Sequence, residues 1–159
     1  MDNPRQPEPP RFFLDSSVII AGVASHKGAS RGLLTLAEIG IIRVIVSPFA
    51  VNETERNLRW KLPDALPYFR KIQEAINWES VADPAQADVH VWASLVPLKD
   101  APIIAAAVIA KPHRLVTLDV KHLIEPTEVA ERSGLAIRTP AQVLTEIRQY
   151  IAEGFARKG

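Results

Sequence analysis

Four carboxylates, Asp15, Glu53, Asp100 and Asp119, stand where they could share one site. Asp15 closes the apolar run Phe12-Phe13-Leu14, and Ser16-Ser17 follow before apolar residues return. A carboxylate between apolar runs is costly to bury unless something neutralises it. Arg114-Leu115-Val116-Thr117-Leu118-Asp119 repeats the design, an apolar run ending in a hydroxyl residue and an acid. If the four acids converge, their repulsion raises some of their pKa values until a cation relieves it. Mg²⁺ suits such a site, because it prefers oxygen ligands and takes one or two carboxylates plus substrate phosphate. A carboxylate-held Mg²⁺ can activate a water, polarise a phosphodiester and stabilise the leaving oxygen. The lack of cysteine, with no pair of histidines at ligand spacing, argues against zinc. Ser17 and Thr117 would orient the acids or waters. Arg56, Arg59 and Lys61, close to Glu53 in sequence, could hold a phosphate backbone near the site.

Each residue also has a plainer reading. Asp15 and Asp100 are good helix caps. Glu53 could be a solvated helix residue paired with Arg56 or Asn57. The basic run could be a solvated face. His26, His90, His113 and His122 are scattered and read as surface or packing residues, and Trp60, Trp78 and Trp92 as core or interface residues.

The elements that must position the acids follow from periodicity and caps. Phe12–Leu14 and the β-branched Arg43–Val46 read as strands, with a helix over Ala29–Ile39 between them and Gly40 as its stop. Ser47-Pro48 opens a helix that carries Glu53 and runs towards Lys61, where Pro63 ends it. Asp64–Ala75 reads as a helix, Asn77–Val81 as a short edge strand and Pro84–Val96 as a helix with Val89, Trp92 and Val96 on one side. Asp100-Ala101-Pro102 starts an all-apolar helix to Ala110, which should be buried. Leu115–Leu118 is a strand, Glu125–Arg132 a short helix and Ala136–Arg138 a last strand. Thr139-Pro140 opens a C-terminal helix to about Glu153. Alternating strands and helices predict a three-layer α/β/α sandwich on a mostly parallel sheet of four to five strands. Ligands of such sheets bind beyond the carboxyl ends of the strands. Asp15 and Asp119 fall on that rim. Asp100 reaches it only if the preceding segment carries it there, and Glu53 could point at it from the flank.

Composition bounds the rest. The chain has 159 residues, 47% hydrophobic and 23% charged, which suits one folded domain rather than a disordered chain. A formal net charge of +1 gives no global attraction for nucleic acid, so a polyanion would be held by a local basic patch or by metal. The absence of cysteine and of an apolar leader fits an intracellular, cytoplasmic protein, and no apolar run is long enough to span a membrane. Residues 1–10 read as a flexible proline-rich tail, 11–153 as a single domain and 154–159 as a C-terminal tail.

The set Leu14-Asp15-Ser16-Ser17, Ser47-Pro48 followed by Glu53, Asp100-Ala101-Pro102-Ile103-Ile104-Ala105-Ala106-Ala107, and Leu115-Val116-Thr117-Leu118-Asp119 resembles the PIN domain. It is most similar to the VapC-type toxins of toxin–antitoxin pairs, over about Phe12 to Tyr150. The resemblance implies a PIN-like sandwich and Mg²⁺- or Mn²⁺-dependent cleavage of RNA. It carries metal and catalytic roles onto Asp15, Glu53, Asp100 and Asp119, and a supporting role onto Thr117. It also implies a homodimer and an antitoxin protein as partner. Two stretches depart from the family pattern. Ser17 stands where Asn is common, and Lys121 and His122 occupy the region where many members carry another acid. Three other readings remain beside the toxin: a non-toxin PIN nuclease in RNA processing, a scaffold that binds RNA or protein without cutting, and a phosphotransfer domain. Asp15 lacks the nearby second acid that the last would need.

Overall fold

Strand β1 (Arg11–Leu14) lies at the centre of a five-stranded sheet. On one side it pairs with β2 (Arg43–Val46), which pairs with the edge strand β3 (Glu79–Ser80). On the other it pairs with β4 (Arg114–Val116), and β4 with β5 (Ile137–Arg138). Every pairing is parallel. The computed structural model describes residues 8–157, apart from the side chains of 152 and 154–157. Most of the expected proline-rich tail, residues 1–7, lies outside the described residues.

Side-chain alternation along the strands builds a core on each face. Phe12, Leu14, Val44, Val46 and Val116 face one way, against helices α1 (Ser16–Ala24), α2 (Ala29–Glu38) and α4 (Leu66–Ala75). Phe13, Ile45 and Leu115 face the other way, against α6 (Ala101–Ala110) and α7 (Thr127–Ser133). Both faces of the sheet are covered, which is why its strands are apolar at successive positions. Helix α3 (Pro48–Lys61) flanks the sheet and contributes Leu58 to the first core and Ala50 to the second. Ser47 caps it by accepting from Ala50 N at 3.3 Å, while Asp83 Oδ1 accepts from Phe49 N at 3.0 Å. Two of the helix's orphan donors are thereby satisfied.

Several expectations change. Helix α1 follows the first acid directly and was not expected. The helix expected over Pro84–Val96 shrinks to α5 (Gln86–His90). Beyond it Ala93 N donates to His90 O and Leu95 N to Trp92 O, so tighter three-residue turns replace the regular ladder. Val89, Trp92 and Val96 nevertheless all pack into the second core, as the periodicity implied. Helix α8 runs from Pro140 to Arg157, four residues past the expected end. A π-helical turn at Val120–Ile124 was also not expected. Among the described residues, no helix is long and apolar enough to cross a membrane.

Candidate active site

The sheet reverses its winding between β1 and β4, and the crevice of an open α/β sheet lies at such a switch point. Leu14 is in register with Val116, so the residues that follow them, Asp15 and Thr117, emerge side by side. Asp15 N completes the ladder by donating to Val116 O at 3.0 Å. Its side chain is then fixed by hydroxyls. Thr117 Oγ1 donates to Asp15 Oδ2 at 2.8 Å, and Ser17 Oγ to the same oxygen at 3.0 Å. Thr117 Oγ1 accepts in turn from Asp119 N at 3.0 Å, and Ser17 Oγ from Leu118 N at 3.2 Å. The capping reading fails for Asp15: it precedes α1, but its carboxylate bonds none of that helix's backbone donors. Asp15 is 5% exposed and Thr117 fully buried, so two charge-assisted bonds offset the cost of burial.

Asp100 fails as a cap too. It sits at the start of α6 in the right-handed helical region rather than the extended conformation of a capping residue, and its side chain bonds no helix donor. The turn that closes on Pro97, with Asp100 N donating to Pro97 O at 2.8 Å, delivers the side chain to the rim. Asp100 is 6% exposed, and its Oδ2 has no hydrogen-bond partner. Burial, then the charges of Asp119 and Asp15, push its pKa up to about 7, with Lys99 opposing and a side-chain hydrogen bond with Asp119 adding to the rise.

Glu53 comes from α3 and is half-buried. Burial raises its pKa above the ordinary carboxylate value and the Asp15 charge adds to this, while a hydrogen bond from Ser16 and the charges of Arg56 and Lys99 oppose it. Asn57 bonds the backbone carbonyl of Glu53, not its carboxylate. Among the described residues the carboxylate forms no ion pair. The side-chain pairing with Asn57 expected of a solvated helix residue is therefore not formed, although the charge of Arg56 still acts on Glu53.

Asp119 ends the rim at the start of the π-helical turn. Its Oδ1 accepts from His122 N at 3.2 Å, and His122 Nδ1 lies 3.0 and 3.1 Å from its two carboxylate oxygens. One ligand atom each from Asp100, Asp119 and His122 lie within 4.8 Å of one another. His122 belongs to the site, not to the scattered surface or packing histidines. The signal available was its place three residues after an acid that caps a turn. Lys99 was also missed, and as the residue before Asp100 it influences two of the acids. Arg56 and Arg59 are both exposed on α3, and the Arg56 charge acts on Glu53. Trp60 is 80% exposed rather than core, while Trp78 and Trp92 pack against the two cores.

The donors present suit a hard or borderline divalent cation: buried carboxylate oxygens, one of them unpartnered, and a single imidazole. The buried Asp100 Oδ2, without a hydrogen-bond partner on a residue that brings a ligand atom within 4.8 Å of one each from Asp119 and His122, is the observation that fits them to such an ion.

The family model described as PIN domain matches residues 11–121. No curated protein matches the sequence. The fold is similar to that of VapBC2 from Rickettsia felis bound to a promoter DNA fragment, with a TM-score of 0.59 at 14% identity over 81% of this chain and 98% of that one. It is similar to PAE2754 from Pyrobaculum aerophilum, with a TM-score of 0.59 at 15% identity over 93% and 97%. VapC20 of Mycobacterium tuberculosis, a toxin that cleaves the sarcin–ricin loop, aligns with a TM-score of 0.52 at 15% identity over 69% and 91%.

Proposed function

This chain belongs to the PIN domain family, and from that membership we propose that it is a divalent-metal-dependent endoribonuclease, the toxin of a toxin–antitoxin pair. The observation that carries the reading is the buried, unpartnered Asp100 oxygen beside Asp119 and Asp15 at the switch point of the sheet. A structural acid would be paired; a site for a cation leaves the lone pair free. Asp15, Asp100 and Asp119 would hold Mg²⁺ or Mn²⁺, with Glu53 on the flank. When bound, such an ion supplies a Lewis acid and a neutralising charge to a phosphodiester undergoing hydrolysis.

The chain's own residues do the rest. Thr117 and Ser17 lock the Asp15 carboxylate in one orientation through Oδ2. Thr117 also ties the backbone of Asp119 to that carboxylate. Lys99 and Arg56 put positive charge beside the acids and would draw the RNA backbone to the rim. Arg59, one helical turn beyond Arg56, would extend that contact. Fold similarity to VapC20 and to VapBC2 supports RNA as the substrate and an antitoxin as the partner. We also place the active form as a homodimer on the family's pattern.

Incubation of the purified protein with structured RNA and Mn²⁺ tests the reading. Cleavage is expected that stops with chelator and falls at least about a hundredfold in Asp15→Asn, the scale of losing one electrostatic contact to the reacting group. Cleavage that survives the substitution would overturn the assignment. Binding of RNA without metal-dependent turnover would favour a scaffold.

A further inference from the structure

We infer that His122 is a metal ligand, so that the site takes a first-row transition ion of the Mn²⁺ type in preference to Mg²⁺. This rests on the metal-dependent reading above and adds the identity of the ion. Neither the family pattern of acids nor the spacing of histidines in the sequence marks this residue.

Three observations carry the inference. The first is geometric: His122 Nδ1 lies 3.0 and 3.1 Å from the two oxygens of Asp119. Adjacent ligands of an octahedral ion with bonds of about 2.1 Å lie about 3 Å apart, so nitrogen and oxygen already stand at the separation of two ligands. The second is the unpartnered oxygen of Asp100, a side chain 6% exposed, which completes the triad within 4.8 Å. The third is local structure. The π-helical turn Val120–Ile124 closes with Glu125 N donating to Val120 O at 2.8 Å. Asp119 Oδ1 holds His122 N at its start, which folds the imidazole back over the carboxylate. Turns of this kind recur at functional sites. An imidazole nitrogen favours transition ions, whereas an all-oxygen set suits Mg²⁺.

The alternative geometry is that Nδ1–H merely donates to Asp119 and orients it. Pulsed electron paramagnetic resonance of Mn²⁺ bound to the wild-type chain separates the two, with Mg²⁺ competition as a second readout. Direct ligation predicts nitrogen hyperfine coupling to Mn²⁺ that disappears in His122→Asp while the ion still binds. It also predicts that Mg²⁺ displaces Mn²⁺ from His122→Asp at a concentration at least about tenfold lower than from wild type. His122→Asn keeps a donor to Asp119 but no ring nitrogen, and should lose the coupling as well. Because the His122 side chain is 42% exposed, both variants should fold. Bound Mn²⁺ without nitrogen coupling, or unchanged Mg²⁺ competition in His122→Asn, would overturn the inference and leave the nuclease reading intact. A wild-type chain that binds no Mn²⁺ would overturn both.

Discussion

Asp100 combines burial, an unpartnered oxygen and acidic neighbours, and its titration therefore reports on the whole site. Its ordinary value is 3.8 and its folded value about 7. A carboxyl group whose folded pKa is raised costs nothing below pH 3.8, where both states hold the proton. The cost grows as the pH rises towards 7, because the unfolded chain ionises while the folded one does not, and it stays constant above that. The total is on the order of a few kcal/mol. Asp100→Asn removes this cost. In chelator at pH 7.5 its melting temperature should exceed that of wild type by roughly 5–10 °C, and the difference should vanish near pH 4. A variant that melts lower at pH 7.5 would show that the acid is compensated in some other way. Asp15, Asp100 and Asp119 were legible as candidates because each stands at the end of an apolar run or at a helix start; Glu53, one acid among several on its helix, was singled out by the family resemblance. His122 was not: it earns its place through a turn that no periodicity announces, and a single histidine carries no spacing signal.

The elements that place these residues were legible where caps and breakers mark them. Ser47-Pro48, Pro63 and Asp100-Ala101-Pro102 bound helices as expected. Helix α1 was missed because Ser16–Ala24 has no polar face to set a helical period. Val18, Ile19, Ile20 and Val23 are also β-branched and favour strands. Tertiary packing decides instead, since α1 fills the space between β1 and α2. Gly22 is where the packing is tightest: a Cβ there would lie 2.5 Å from Leu34 Cδ1 and 3.1 Å from Ser30 O. Overpacking costs about 1–3 kcal/mol, against a gain in helix propensity of at most about 1 kcal/mol. Gly22→Ala should therefore lose about 1–2 kcal/mol in urea unfolding, and Leu34→Val in the same chain should recover part of the loss. No loss would mean that the two helices slide apart without cost. The segment after His90 was over-read as helix because its apolar spacing is helical. Its bonds are those of successive tight turns that serve to bring Asp100 round to the rim.

For the whole molecule, a formal net charge of +1 leaves no long-range field to gather RNA. On the proposed function, RNA binding would rest on a few cations near the acids, and its salt dependence should be shallow. Arg56→Ala should weaken binding of single-stranded RNA and lower the slope of log affinity against log salt by somewhat under one, the contribution of one phosphate contact. An unchanged slope would remove Arg56 from the interface. The layered architecture was legible because alternating strands and helices admit few topologies, and both faces of the strands are apolar. The switch point between β1 and β4 was not, since strand order depends on which crossovers the helices make. That order sets Asp119 beside Asp15, while Asp100 meets Asp119 and His122 from the start of α6. Calorimetric titration of the metal-free chain with Mn²⁺, at pH 6 and pH 8, tests this convergence most directly. Saturable binding should be several-fold tighter at pH 8, where Asp100 has already lost its proton, and should be lost in Asp100→Asn. Binding of equal strength in wild type and Asp100→Asn, or none in either, would contradict it.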